Sequence, residues 1–131
     1  MPPHPRVQPI HVTVVSDNPE TLDGLESYLR AAGATVQSTR RLEKCPVMVP
    51  AFAAAIVLFP DDFPRDAVFR TLAELHSQRP NALLVLVTSE PKQFQGLPSG
   101  DGRIAPLVVP KPVWGWTILD AIRARLGSPS P

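Results

Sequence analysis

Along the chain, short unbroken apolar runs alternate with stretches in which apolar residues recur every three or four positions, the rhythm of strands exchanging with helices. His11–Val15 is a β-branched run that closes on Ser16, Asp17, Asn18 and Pro19. Asn18 is a good N-cap and Pro19 suits the first helical position. Leu22, Leu25 and Leu29 then share one helical face, and Gly33 supplies the stop. Ala34–Ser38 reads as a second, shorter strand. Over Thr39–Ala53, residues Arg40, Arg41, Glu43 and Lys44 give a polar helical face, but Pro46 and Pro50 limit any helix to a turn or two. Ala54–Phe59 is continuously apolar, as a central strand buried on both faces should be. Pro60 ends it, because proline cannot donate to a ladder. Arg65–Arg79 is helical, with Val68, Leu72 and Leu75 inward and Pro80 closing it. Leu83–Val87 is the next buried strand and ends at Thr88 and Ser89. Between Glu90 and Arg103, residues Pro91, Gly96, Pro98, Gly100 and Gly102 argue against a regular helix. Ile104–Val109 supplies a fifth strand, followed by Lys111 and Pro112. A last helix places Ile118, Leu119, Ile122 and Leu126 inward, with Gly127 as its cap.

Strands that alternate with helices predict an α/β domain, a five-stranded parallel sheet with helices on both faces. Right-handed crossovers leave few topologies. In the flavodoxin-like strand order 2-1-3-4-5, the switch point falls between the first and third strands, and a functional crevice sits at the carboxyl ends. Those ends carry Ser16 and Asp17, then Pro60, Asp61 and Asp62, flanked by Thr88 and Lys111. The first, third and fifth helices are expected intact, the second and fourth degraded. One domain is expected over residues 10–127. Residues 1–9 read as a disordered proline-rich tail, and 128–131 as a tail or the start of a linker. No internal repeat is visible.

Composition narrows the function classes. The 131 residues, 44% hydrophobic and 19% charged, suit a single globular core. Thirteen basic against twelve acidic residues leave a net charge of +1, which is no electrostatic footprint for nucleic acid or an anionic membrane. Cys45 is the lone cysteine and reads as a half-buried, unreactive thiol in a reducing cytoplasm. His4, His11 and His76 show no metal spacing. The longest apolar run, Ala51–Phe59, is too short to span a bilayer, and the N-terminus lacks the regions of a signal peptide. A cytoplasmic location is expected. Seventeen prolines exceed average usage and account for both the tails and the broken helices.

Four motifs in register carry a family resemblance: Val14–Pro19 (VVSDNP), Ile56–Pro60 (IVLFP) with Pro64 beyond it, Val87–Ser89 (VTS), and Val109–Pro112 (VPKP). Together, over roughly His11–Leu126, they resemble the receiver (CheY-like) domains of bacterial response regulators. The resemblance implies that Asp17 corresponds to an acidic Mg²⁺ ligand and that Ser16 replaces its acidic neighbour. It implies that Thr88 and Lys111 correspond to the hydroxyl and ammonium that meet a phosphoryl group. Pro60 stands where the phosphate-accepting aspartate belongs, and Val108 where an aromatic switch residue is common. Phosphotransfer needs a carboxylate in line with the donor phosphorus and a metal to neutralise developing charge. Pro60 has no oxygen to attack with, and Ser16 offers the metal only a neutral one.

The expected function is therefore a phosphorylation-independent, non-enzymatic receiver-like module that recognises a signalling protein or effector domain. No cofactor is expected, with Mg²⁺ weak at Asp17 at best. A vestigial pocket of Ser16, Asp17, Asp61, Thr88 and Lys111 is expected around Pro60. Plainer readings stand beside these: Lys111 as the neutralising partner of Asp17, Thr88 as a strand-end cap, and Asp61 and Asp62 as solvated loop acids. Trp114 and Trp116 head the last helix, one expected in the core and one in a partner patch. The resemblance also implies the fourth-helix, fifth-strand and fifth-helix face as a docking or homodimer surface. Two alternatives stay open: a working acceptor at Asp61 or Asp62, and a small-ligand module of the flavodoxin-like kind. The second has no glycine-rich phosphate loop behind its first strand.

Overall fold

The computed structural model describes residues 10–50, 54–79, 82–94, 106–111 and 115–125. Five strands, β1 (His11–Val15), β2 (Thr35–Thr39), β3 (Ala55–Leu58), β4 (Leu83–Thr88) and β5 (Leu107–Pro110), form one sheet in the order β2-β1-β3-β4-β5. Every adjacent pair is parallel. Among the described residues four α-helices accompany them: α1 (Pro19–Ala31), α2 (Cys45–Met48), α3 (Arg65–Gln78) and α4 (Gly115–Arg125). This is the flavodoxin-like α/β architecture that the alternation predicts.

The sheet carries apolar side chains on both faces, as a parallel sheet between helices must. On one face Val12, Val14, Val57 and Val85 pack against Leu22, Leu25 and Leu29 of α1 and Ile118, Leu119 and Ile122 of α4. On the other, Val15, Ile56, Leu58 and Leu86 meet Cys45 of α2 and Val68, Leu72 and Leu75 of α3. The predicted inward faces are thus the buried ones, except that Leu126 and its cap Gly127 lie outside the described residues. Cys45 is fully buried rather than half-buried. Burial pushes its thiol up to about 12, which leaves it protonated and inert.

Helix ends follow their local chemistry. The Asn18 side chain accepts from the amides of Glu20 and Thr21 at 2.9 and 3.3 Å, with Pro19 at the head of the helix. At the other end the Gly33 amide donates to the Arg30 carbonyl and the Ala34 amide to that of Leu29. This pairing needs a residue with positive φ, and Gly33 supplies it at 95°.

The second helical position is cut down as the prolines require. A 3₁₀ turn at Leu42–Lys44 runs into the four residues of α2. Its exit is held by Arg79 at the end of α3, whose Nε and Nη2 donate to the Val49 carbonyl at 3.0 and 2.7 Å. In the fourth helical position the described residues hold a 3₁₀ turn, Pro91–Phe94, and the rest of that expectation lies outside the described residues. So do Ile104 and Ala105 of the predicted fifth strand, which runs on through Pro110 instead of stopping at Val109. Residues 1–9 and 128–131 also lie outside. Among the described residues no helix is long and apolar enough to cross a membrane.

Candidate functional site at the carboxyl ends of the strands

The crevice forms where the sheet order reverses, between the ends of β1 and β3. Past β3 the chain does not stay extended. Proline fixes φ for a turn, and Pro60, itself buried, opens a 3₁₀ turn over Pro60–Asp62. Three residues per turn set successive side chains about 120° apart, so Asp61 and Asp62 diverge toward opposite sides of the strand end.

Asp62 turns toward β1. Its Oδ2 accepts from Ser16 Oγ at 2.5 Å and from the Asp17 amide at 3.1 Å. Ser16 is fully buried, and its Oγ also accepts from the Asn18 amide at 3.1 Å. One hydroxyl thereby ties the acid to the entry of α1.

Asp61 turns toward β4 and β5. Thr88 Oγ1 donates to its Oδ1 at 2.6 Å, while the Ser89 amide and hydroxyl donate to Oδ2 at 2.8 and 2.9 Å. Lys111 Nζ stands 3.5 Å from the same oxygen. Burial alone would raise the Asp61 carboxyl, but the Ser89 amide, the Thr88 and Ser89 hydroxyls and the Lys111 charge outweigh it and hold it below the usual carboxylate range. The Lys111 ammonium also lies 5.8 Å above the centre of the Phe59 ring.

Several pairings differ from the sequence reading. Lys111 neutralises Asp61, not Asp17. Asp17 instead meets Arg40 at 3.4 Å, an exposed pair that is screened by solvent. Asp61 and Asp62 are not free loop acids, since each carboxylate is anchored to a neighbouring strand end. Thr88 does cap the strand, accepting from the Glu90 amide at 3.0 Å, and it donates to Asp61 as well. Ser89 and Arg40 were missed as site residues. For Ser89 the signal was adjacency to Thr88, while Arg40 pairs at long range and leaves no local trace. Among the described residues no three His, Cys, Asp or Glu side chains cluster to hold a metal.

Beside the crevice, a groove of about 580 Å³ runs between α1 and the head of α4, lined by Thr21, Leu25, Tyr28, Phe59, Lys111 and Trp116 among others. Trp116 is 53% exposed and Tyr28 37%. The Tyr28 ring packs so closely on Gly115 that a Cβ there would come within 3.0 Å of it. Trp114 lies outside the described residues.

Comparison with solved structures matches the fold over almost the whole chain. The chemotaxis response regulator CheY4 of Vibrio cholerae superposes with a TM-score of 0.71 at 18% identity, covering 90% of this chain and 99% of that one. The fold is that of a receiver domain. A response regulator receiver domain protein from Clostridium thermocellum gives a TM-score of 0.74 at 14% identity, covering 91% and 95% of the two chains. A receiver protein from Sinorhizobium medicae gives 0.72 at 17% identity, covering 94% and 98%. No protein-family model and no curated protein matches by sequence. The likeness is one of receiver fold, carried by topology at low sequence identity.

Proposed function

We propose that this receiver-fold chain is a signalling module that acts by recognising a protein partner and is not switched by phosphorylation. The observation that carries the reading is the end of β3, where buried Pro60 replaces any acceptor and the next two residues use their carboxylates as internal ties. A receiver reports a charge change at this crevice to its surface. Here the charge is already present and already paired, so one arrangement of the surface is held. No nucleic-acid or membrane partner is proposed, and no enzymatic activity.

The docking patch is proposed beside Trp116, at the head of α4 where it borders the groove shared with α1. A half-exposed tryptophan at the rim of a groove with mixed polar and apolar lining is the kind of residue that anchors interfaces. The same flank would serve a homodimer or a linked effector domain.

A bait of this chain is expected to retain the same partner from its native cell with or without a small-molecule phosphodonor and Mg²⁺. Trp116→Ala should reduce retention at least about tenfold, since interface tryptophans are often hot spots worth 2 kcal/mol or more. Retention that appears only after phosphodonor treatment would overturn the reading. Retention unchanged by Trp116→Ala would remove the patch.

One observation favours a second reading, in which Asp61 is itself the acceptor: it stands beside both Lys111 and Thr88. Both of its oxygens already accept hydrogen bonds, however, and Asp62 and Asp17 are engaged elsewhere.

A further inference from the structure

Among the described residues β2 is an outer strand of the sheet, with β1 as its one strand neighbour. The Thr35 amide donates to the Ile10 carbonyl and the Ser16 amide to that of Thr39. Alternate residues of a strand face the same neighbour. Thr35, Gln37 and Thr39 therefore bond toward β1, while the main-chain groups of Val36 and Ser38 point outward. Such an edge is a ready template for another strand. Here it is latched from α1. Arg30 Nη2 donates to the outward Val36 carbonyl at 3.2 Å and pairs with Glu26 Oε2 at 2.9 Å. Ser38 Oγ donates to the other oxygen of Glu26, so one acid holds both the latch and the strand.

The prolines that shorten α2 leave a second feature beside this edge. With α2 cut to four residues, Thr35 and Gln37 stay exposed. Val47 is 87% exposed, the most exposed large hydrophobic side chain among the described residues. A mainly apolar groove of about 570 Å³ runs there, lined by Ser38, Thr39, Glu43, Lys44, Val47 and Met48. An open edge beside such a groove suits strand addition, in which main-chain bonds supply affinity and a side-chain pocket supplies specificity. We infer that the β2 edge with the Val47 groove is a pairing surface for β2 of a second copy of this chain, and that Arg30 is the latch that holds it closed. The occupant follows from self-complementarity. A two-fold contact sets a patch against itself. This patch offers outward main-chain donors together with acceptors, and exposed Glu43 next to exposed Lys44 around one apolar side chain. The latch is a partly exposed ion pair, which solvent screens, so an incoming strand can displace it. The inference stands apart from the Trp116 patch and from the chemistry of the crevice.

The test is sedimentation equilibrium of the full chain, of Arg30→Met, and of Arg30→Met combined with Val47→Glu. Methionine keeps an apolar stem and removes the donors. Arg30→Met is expected to dimerise at least about tenfold more tightly than the intact chain, the equivalent of one or two net hydrogen bonds. Val47→Glu should return it to the behaviour of the intact chain. Trp116→Ala in the Arg30→Met background should leave the dimer unchanged, and amide exchange should slow at Val36 and Ser38 as the dimer forms. If Arg30→Met does not fold, Glu26→Gln takes its place, since it releases the guanidinium while keeping Arg30, and the same direction is expected. Dimerisation no tighter than that of the intact chain would overturn the inference. So would a dimer that survives Val47→Glu, one that is lost with Trp116→Ala, or new amide protection at another strand in place of β2.

Discussion

Asp61→Ala is expected to destabilise the fold by about 2–3 kcal/mol at pH 7, a large effect for a loop acid. Hydrogen bonds to a charged group contribute about 1.5–3 kcal/mol, and the substitution removes the acceptor from a fully buried threonine hydroxyl and from Lys111 together. Asp17→Ala, which loses only an exposed pair with Arg40, is expected to change stability by less than about 1 kcal/mol. The pH dependence has a definite sign. The folded Asp61 carboxyl is held below its ordinary value, so its contribution is fully present above the unfolded value of about 4. It is lost as pH falls through the folded value. Denaturant midpoints should therefore separate the intact chain from Asp61→Ala at pH 7 and draw together as pH falls below the ordinary carboxylate range. A separation unchanged at low pH would show that the carboxylate is not the source.

Placing acids back into the crevice should have an effect of similar size and opposite character. Ser16 is fully buried and its hydroxyl hydrogen-bonds Asp62 at 2.5 Å. Ser16→Asp would set two carboxylates against each other there and remove the only proton between them. In the absence of metal, Ser16→Asp together with Pro60→Asp is expected to cost about 2–4 kcal/mol through like-charge repulsion and desolvation. Mg²⁺, a hard cation held by carboxylates and water, should restore much of that loss by mass action. The intact chain should respond little. Stability of the double variant that is independent of millimolar Mg²⁺ would mean that the strand ends no longer approach a metal geometry.

How far the sequence reveals this site depends on where strand rules apply. Unbroken apolar runs and helical spacing placed Val12, Ile56, Leu72 and Ile122 in the core, because a central parallel strand is buried on both faces and the helical repeat is strict inside an element. Pro46 and Pro50 announced the short second helix, since each removes a backbone donor. The crevice itself was legible from the order of strands, with Ser16, Asp61, Thr88 and Lys111 all at carboxyl ends. What the sequence did not reveal is who binds whom. Asp61 and Asp62 stand past the end of β3, where alternation no longer fixes direction, and the 3₁₀ turn sends them to different strands. The need of a charge for a partner made Asp17 one candidate for Lys111, but Asp61 lies between the strand ends and takes that lysine. Arg40, read as part of a helical face, reaches back to Asp17, a contact that only tertiary structure creates.

The most direct measurement of the central claim is the intact mass of the full chain after incubation with acetyl phosphate and Mg²⁺, followed by mapping of any modified residue. Pro60 carries no acceptor oxygen, and the two acids after it spend their carboxylates on Ser16, Thr88, Ser89 and Lys111. The account predicts an unmodified mass under conditions that label a conventional receiver run alongside. A stable gain of one phosphoryl group, mapped to Asp61 or Asp62, would contradict it.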